Sequence, residues 1–358
     1  MYDYAVLGMG VVGLAVSIRL SSHGYKTILI GESKSASTSS AGVITVQLEN
    51  IQDILLVKKN IEIIEEFLEK YGGEDAGIVG REFISIENLE DAKESRNLLE
   101  KAGVRFKQLA SKEALEVWPY FNISEDEIVT HTFEDMSIEA EKFIEYLLKI
   151  ARENDVELKI SKVLQVKLDE TPEIVLEDHS TLNSQTVILC LGAWTRKFLE
   201  NLGIFIPIVT LCCPAYRFRV KEKITAFADE VYESYWRPGF SNTIVGGGYH
   251  AEIVNDPRDF FKKPPEKFRR SAEKLLKERV KMDVEFIEEW TGPCSVTPDL
   301  DPVIDKIPGS SIFFVDGLRG YGFMRGLAIG YLLADVLVGR ESPENIERYS
   351  LRRFQELL

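Results

Sequence analysis

Two periods of hydrophobic residues organise this chain. At its start "YAVLG" is a short β-rich apolar run and "VVGLAVSIRLSS" places apolar residues at helical spacing. Gly24 stops that helix, and "KTILI" predicts a second strand, completing a βαβ unit. A Ser-rich loop, "SKSASTSSAGVITVQ", follows, and helical spacing resumes from about Asp53 to Tyr71. "GIVGREFISIENLEDAKESRNLLEKAGVRFKQLASKEALEVWPYF" then reads strand, helix, strand and short helix, with no glycine-rich turn. From "MSIEAEKFIEYLLKIARENDVELKISKVLQVKL" the pattern is helix, strand, strand, continued by "EIVLED" and "STLNSQTVILCLGAW". Further strands and one charged helix, "PPEKFRRSAEKLLKERVKM", come next. "SIFFVDGLRGYGFMRGLAIGYLLADVLVG" then gives a strand, a glycine-rich turn and a helix.

The first unit carries its glycines at Gly8, Gly10 and Gly13, between strand and helix. In that position the first glycine permits the tight turn, the second lets the backbone approach a pyrophosphate, and the third lets the helix pack on the strand. Glu32, just past the second strand, stands where a carboxylate accepts ribose hydroxyls and repels a 2′-phosphate. The unit therefore predicts a dinucleotide site with an unphosphorylated adenosine. NAD and FAD present the same ADP moiety to it, so the rest of the chain must separate them. An NAD enzyme would continue in regular βα alternation; this chain breaks off into the second pattern and returns.

That return divides the sequence into interleaved parts. Residues 1–75, 135–202 and 290–358 form a discontinuous nucleotide domain, and residues 76–134 and 203–289 a second one. The fold class is α/β, a Rossmann-like domain interleaved with an α+β domain built on a mixed sheet. Two domains suit 358 residues, and 45% hydrophobic with 28% charged residues is the composition of an ordinary globular protein.

A formal net charge of −15 argues against nucleic acid as a partner. Without a run of about 18 apolar residues, a transmembrane segment is not expected, and without signal-peptide features the expected location is cytoplasmic. The cysteines Cys190, Cys212, Cys213 and Cys294 show no metal-site spacing. The adjacent Cys212 and Cys213 lie in a strand-like stretch and read as small apolar packing residues rather than a redox pair.

Five ordered stretches then carry a resemblance over nearly the full length. They are the N-terminal glycine turn with Glu32, "MSIEAEKFIEYLLKIA", "VILCLGAWTRKFLENLGIFIPI", "TPDLDPVID" and "GLRGYGFMRGLAIGYLLADVL". The chain resembles the FAD-dependent D-amino-acid oxidase superfamily, which includes glycine oxidase, sarcosine oxidase and dye-linked proline dehydrogenases. The resemblance implies FAD extended across the nucleotide domain, with Glu32 on the adenosine ribose. It places Ser39, Ser40, Ala41 and Gly42 along the pyrophosphate and isoalloxazine, Val163 by the adenine, and the turn at Gly192 against the pyrophosphate. The last turn, Gly320, Tyr321, Gly322, Phe323 and Met324, precedes a helix whose free N–H groups favour an anion, as a reduced flavin is.

The same resemblance locates the chemistry. In "YWRPGFSNTIVGGGYHAEI", Tyr235 and His250 have the separation of the sarcosine oxidase pair that faces substrate, and "GFSN" offers the hairpin turn that would bring them to one face. His250 would stabilise the amine and help remove its proton, and Tyr235 would orient the substrate. The bland reading of His250 is a hydrogen-bonded histidine at a strand end. His23, His131 and His179 have no such context and are expected to face solvent.

Four positions depart from the family. Sarcosine oxidases carry a dioxygen-activating lysine where this chain has Gly246 and a substrate-binding lysine where it has Met324. Glycine oxidase has its carboxylate-binding arginine where this chain has Cys294. A carboxylate would still need a cation, preferably a guanidinium, and Arg325 and Arg237 are the candidates, each with a surface salt bridge as the alternative. Gly292 stands where sarcosine oxidase has its flavin-linking cysteine, so FAD is expected to be non-covalent.

The function expected is oxidation of the C–N bond of a small amino acid or secondary amine such as proline, sarcosine or glycine, with electrons passed to an acceptor other than oxygen. The alternatives are a 2-hydroxy-acid or glycerol-3-phosphate dehydrogenase on the same fold, and an FAD-carrying subunit of a larger complex whose partner holds the catalytic pocket.

Overall fold

The computed structural model describes residues 1–168, 171–256, 258 and 263–355. Five parallel strands form the heart of its first sheet. Across the sheet they run Glu157–Ile160, Thr27–Gly31, Tyr2–Leu7, Thr181–Leu189 and Ile312–Asp316. In chain order this is third, second, first, fourth, fifth, the Rossmann arrangement, with the reversal of direction at the end of Tyr2–Leu7. Tyr4 and Val6 point into one hydrophobic core, Ala5 and Leu7 into another. A parallel strand buried on both faces needs such an unbroken apolar run, which is why "YAVL" shows no polar alternation.

Helices Val11–Ser22 and Gly322–Leu337 cross on one face of this sheet. They approach closely because Gly326 and Gly330 present no side chain: a Cβ at either would lie 2.6 Å from Val11 or Ala15. The two glycine-rich turns are thereby fixed relative to each other, since each turn leads into one of these helices. The Ile51–Tyr71 helix packs beside them, its N-cap Asn50 accepting from the Asp53 N–H.

Among the described residues the second sheet has nine strands and is mixed. Within it Val209–Arg219 pairs antiparallel with Glu285–Val296 along nearly its full length on one side and with Thr243–Gly248 on the other. Ser234–Pro238 and Thr243–Gly248 form the hairpin expected from "GFSN", with Ser241 and Asn242 both left-handed at φ 55° and 53°. The Glu266–Arg279 helix covers the sheet's core. Strands Ile128–Thr132 and Met136–Ile138 escape the sequence reading, being short and without alternation. Among the described residues no helix is long and apolar enough to cross a membrane.

Candidate active site

A cavity of about 1130 Å³ runs from the reversal point of the parallel sheet to the face of the mixed sheet. At its first end stand the Gly8–Gly10 turn, Glu32 and Val163; the Ser39–Gly42 loop and Gly192 line its middle. Gly8 has φ +115°, and a Cβ there would sit 2.2 Å from the Cys190 carbonyl oxygen; a Cβ at Gly13 would sit 1.9 Å from the Gly8 oxygen. Gly13 therefore seals the helix onto the strand without itself reaching the cavity. The Val11–Ser22 helix starts at Gly10, which has no side chain to cap it, and carries no acid in its first turn, so its positive end meets the cavity without a countercharge. Ser37 Oγ accepts the Val11 N–H at 3.0 Å.

The far end is built from three strand ends and the Gly317–Gly322 turn. Tyr235 stacks on Tyr249, ring centres 6.2 Å apart and 19° from parallel. The Tyr249 hydroxyl donates to Glu230 Oε1 at 3.3 Å, and among the described residues no Lys or Arg pairs with Glu230. Burial, followed by the like charges of Glu87 and Glu49, pushes the Glu230 carboxyl up to about 7. Burial likewise pushes the phenols of Tyr235 and Tyr249 up, so both stay protonated. Arg319, left-handed at φ 45°, places its guanidinium on the cavity wall 4.4 Å over the Tyr321 ring and 2.7 Å from Glu49 Oε2.

A profile of the DAO family, FAD-dependent oxidoreductases, matches residues 3–336. The chain belongs to that family. It is 25% identical over 290 residues to the D-amino acid dehydrogenase of Neisseria gonorrhoeae, which spans 77% of this chain and 67% of that one. Among solved structures, it overlays L-proline dehydrogenase from P. horikoshii with a TM-score of 0.87 at 19% identity, covering 99% of this chain and 98% of the other. It overlays glycine oxidase from Geobacillus kaustophilus with a TM-score of 0.84 at 19% identity and 98% of both chains. The protein is thus an FAD-dependent oxidoreductase.

The residues present fit the family's cofactor. Glu32 offers ribose acceptors, the glycine turn and the helix start offer an anion cradle that side chains would fill, and Tyr321 begins the Gly322–Leu337 helix with no side-chain cap. Between them Asp316, buried on the cavity wall, leaves Oδ2 without a hydrogen-bond partner among the described residues, an acceptor suited to a hydroxylated chain such as the ribityl group. Ser39, Ser40, Ala41, Gly42, Gly192, Gly320, Tyr321, Gly322, Phe323 and Met324 all line the same cavity.

The expected substrate residues fare differently. Tyr235 and His250 both reach the cavity, but His250 Nε2 lies 3.0 Å from Ser271 Oγ and its ring tilts against Phe268. Arg237 and Arg325 are neither carboxylate anchors in the cavity nor surface salt bridges. Arg237 is buried, ion-paired with Glu139 at 3.0 Å, and donates to the Ala41 carbonyl from behind the cofactor loop. Arg325 is buried against Asp53 and donates to the Leu318 carbonyl at 2.9 Å. Each pins a cavity loop from outside, because a buried guanidinium needs a carboxylate and Glu139 and Asp53 supply it. His131 is also buried, 3.1 Å from Glu82, rather than solvent-facing.

Sequence reading missed Arg319, Glu230, Tyr249 and Glu49. Arg319 had a visible signal, an arginine inside the Gly-Leu-Arg-Gly turn that precedes the last long helix. Glu230 and Glu49 had none, since they reach the cavity only through sheet pairing and loop packing.

Proposed function

We propose that this oxidoreductase removes a hydride equivalent from the C–N carbon of a small amino acid or secondary amine, proline-, sarcosine- or glycine-like, as a dehydrogenase. One observation carries the reading: a cation on one wall and an unpaired, elevated carboxyl on another share the cavity end beyond the glycine turns. That is the charge pattern an amino acid's two ends require.

Bound FAD supplies the two-electron acceptor. Arg319 takes the substrate carboxylate, for which Glu49 is the stand-in; Glu49 is mostly exposed and free to swing out. Glu230, elevated to about 7, accepts the proton of the substrate ammonium, so that the nitrogen lone pair is available as hydride leaves. Tyr235 and Tyr249, stacked and protonated, form an aromatic wall that orients the substrate. His250, held by Ser271, shapes the rim.

The dehydrogenase reading draws support from Gly246. A Cβ there would lie 1.9 Å from the Tyr235 carbonyl oxygen, so the strand pair has no room for the lysine that serves dioxygen in sarcosine oxidases. Non-covalent FAD draws support from Gly292, which lines the cavity with no nucleophile.

A panel of amino acids, secondary amines and 2-hydroxy acids, assayed with a redox dye as acceptor, tests the reading. Turnover is expected with an amine or amino acid. Turnover with 2-hydroxy acids alone would overturn it, and turnover only after a partner chain is added would move the chemistry to that partner.

A further inference from the structure

The antiparallel pairing of Val209–Arg219 with Glu285–Val296 sets Cys213 opposite Gly292 and Leu211 opposite Cys294. Strand alternation therefore puts Cys213 and Cys294 on the same face as diagonal neighbours. Both line the cavity, both are partly accessible, and neither is in a disulfide. Their side chains hydrogen-bond to each other, the Cys294 thiol donating to the Cys213 sulfur; this contact holds the Cys213 thiol down and pushes Cys294 well up. Cys294 Sγ also packs against the Gly320 turn, 3.4 Å from where a Cβ would stand, and Gly292 opposite Cys213 has no side chain to obstruct its rotation. Cys212 points to the other face, into a separate pocket with Glu252 and Pro264. Cys190 is buried, its thiol pushed up to about 12.

We propose that Cys213 and Cys294 form a redox-active dithiol on the cavity wall that closes to a disulfide by exchange with a low-molecular-weight disulfide. In the first step the Cys213 thiolate attacks one sulfur of the small disulfide, forming a mixed disulfide and expelling one thiolate. Cys294, losing its proton to solvent, then attacks the Cys213 sulfur, forming the protein disulfide and expelling the second thiolate. Two protein thiols lose two electrons and two protons; one small disulfide gains both and leaves as two thiols. Both cysteines line the cavity, so the closed bond is within reach of a reducing thiol. A closed bond would tie together the two strands that carry the cavity wall beside Tyr235.

The holoenzyme is equilibrated in a series of oxidised-to-reduced glutathione ratios, unfolded in alkylating reagent, and analysed by intact mass and peptide mapping. Wild type is expected to lose two alkylatable thiols as the ratio rises and to yield a peptide linking Cys213 to Cys294. Cys212→Ser should lose two as well, whereas Cys294→Ser should stop at a mixed disulfide on Cys213 and Cys213→Ser should form no protein disulfide. Four alkylatable thiols at every ratio, a Cys212–Cys213 linkage, or a flavin attached to the Cys294 peptide would each overturn the proposal. Because the wild-type map needs no variant, a folding failure of either serine variant leaves the result decisive.

Discussion

Arg319 Nη2 lies 2.7 Å from Glu49 Oε2, an ion pair formed on the cavity wall rather than behind it. Asp53 Oδ2, 3.6 Å away, backs the same guanidinium. The arginine is held in place by buried structure while its partner is mostly exposed, so the carboxylate is the exchangeable half. Replacing Arg319 with Met should raise KM for a carboxylate substrate about 10- to 100-fold, the worth of a charge-assisted hydrogen bond of about 1.5–3 kcal/mol, with a smaller effect on kcat. Lys at this position should restore the affinity only in part, since it lacks the planar fork. Steady-state kinetics on amide and free-acid forms of one substrate check it; equal loss for both forms would remove Arg319 from this role.

Glu230 must be ionised to accept a proton. With its carboxyl pushed up to about 7, kcat/KM should climb as pH rises through about 7. Glu230→Gln should abolish that limb and slow reduction of the flavin by about 10²- to 10⁴-fold. A limb that survives in the variant would assign it to another group.

Much of this was legible in the sequence where the signal was local. The glycine turn, its flanking strands and helix, and the "GFSN" hairpin follow from residues that are neighbours in the chain. The placement of Arg237 and Arg325 does not, because a guanidinium goes where its carboxylate is. Glu139 begins the helix Ala140–Glu153, and Asp53 sits in the first turn of Ile51–Tyr71. Neither is near its arginine in sequence. Arg237 shares a strand with Tyr235, yet two residues along that strand carry it past the cavity to Glu139 and the Ala41 carbonyl.

Glu139 links the two domains' packing to pH. Burial alone would raise its carboxyl, but the hydrogen bonds and charges of Arg237 and Arg217 outweigh burial and hold it at about 2. A depressed carboxyl contributes stability that is complete above its ordinary value and is lost as pH falls through the folded one. Thermal unfolding should therefore show a falling midpoint between about pH 4.5 and pH 2. Glu139→Gln should start lower at neutral pH, because Arg237 is left buried and unpaired, and should lose less over the acid range. Parallel curves for the two proteins would contradict the assignment.

Arg279 is buried between Glu127 and Asp229, with Nη1 at 2.9 Å from Glu127 Oε2 and Nη2 at 2.9 Å from Asp229 Oδ1. It joins the Glu266–Arg279 helix to the sheet that carries Tyr235. Arg279→Met leaves two buried carboxylates without a cation and should cost about 3–5 kcal/mol in urea unfolding of the holoenzyme. Arg270→Met, on the exposed face of the same helix, should cost less than about 1 kcal/mol.

The proposed function requires one cavity to hold FAD at one end and an amino acid at the other. Anaerobic titration of the purified holoenzyme with the best amine substrate, read as loss of flavin colour and as product formed, tests it most directly. Bleaching should be complete without oxygen, dye or partner, with one oxidised amine released per flavin reduced. A flavin that keeps its colour with every amine and amino acid, yet bleaches with a hydroxy acid or only on addition of another chain, would contradict it.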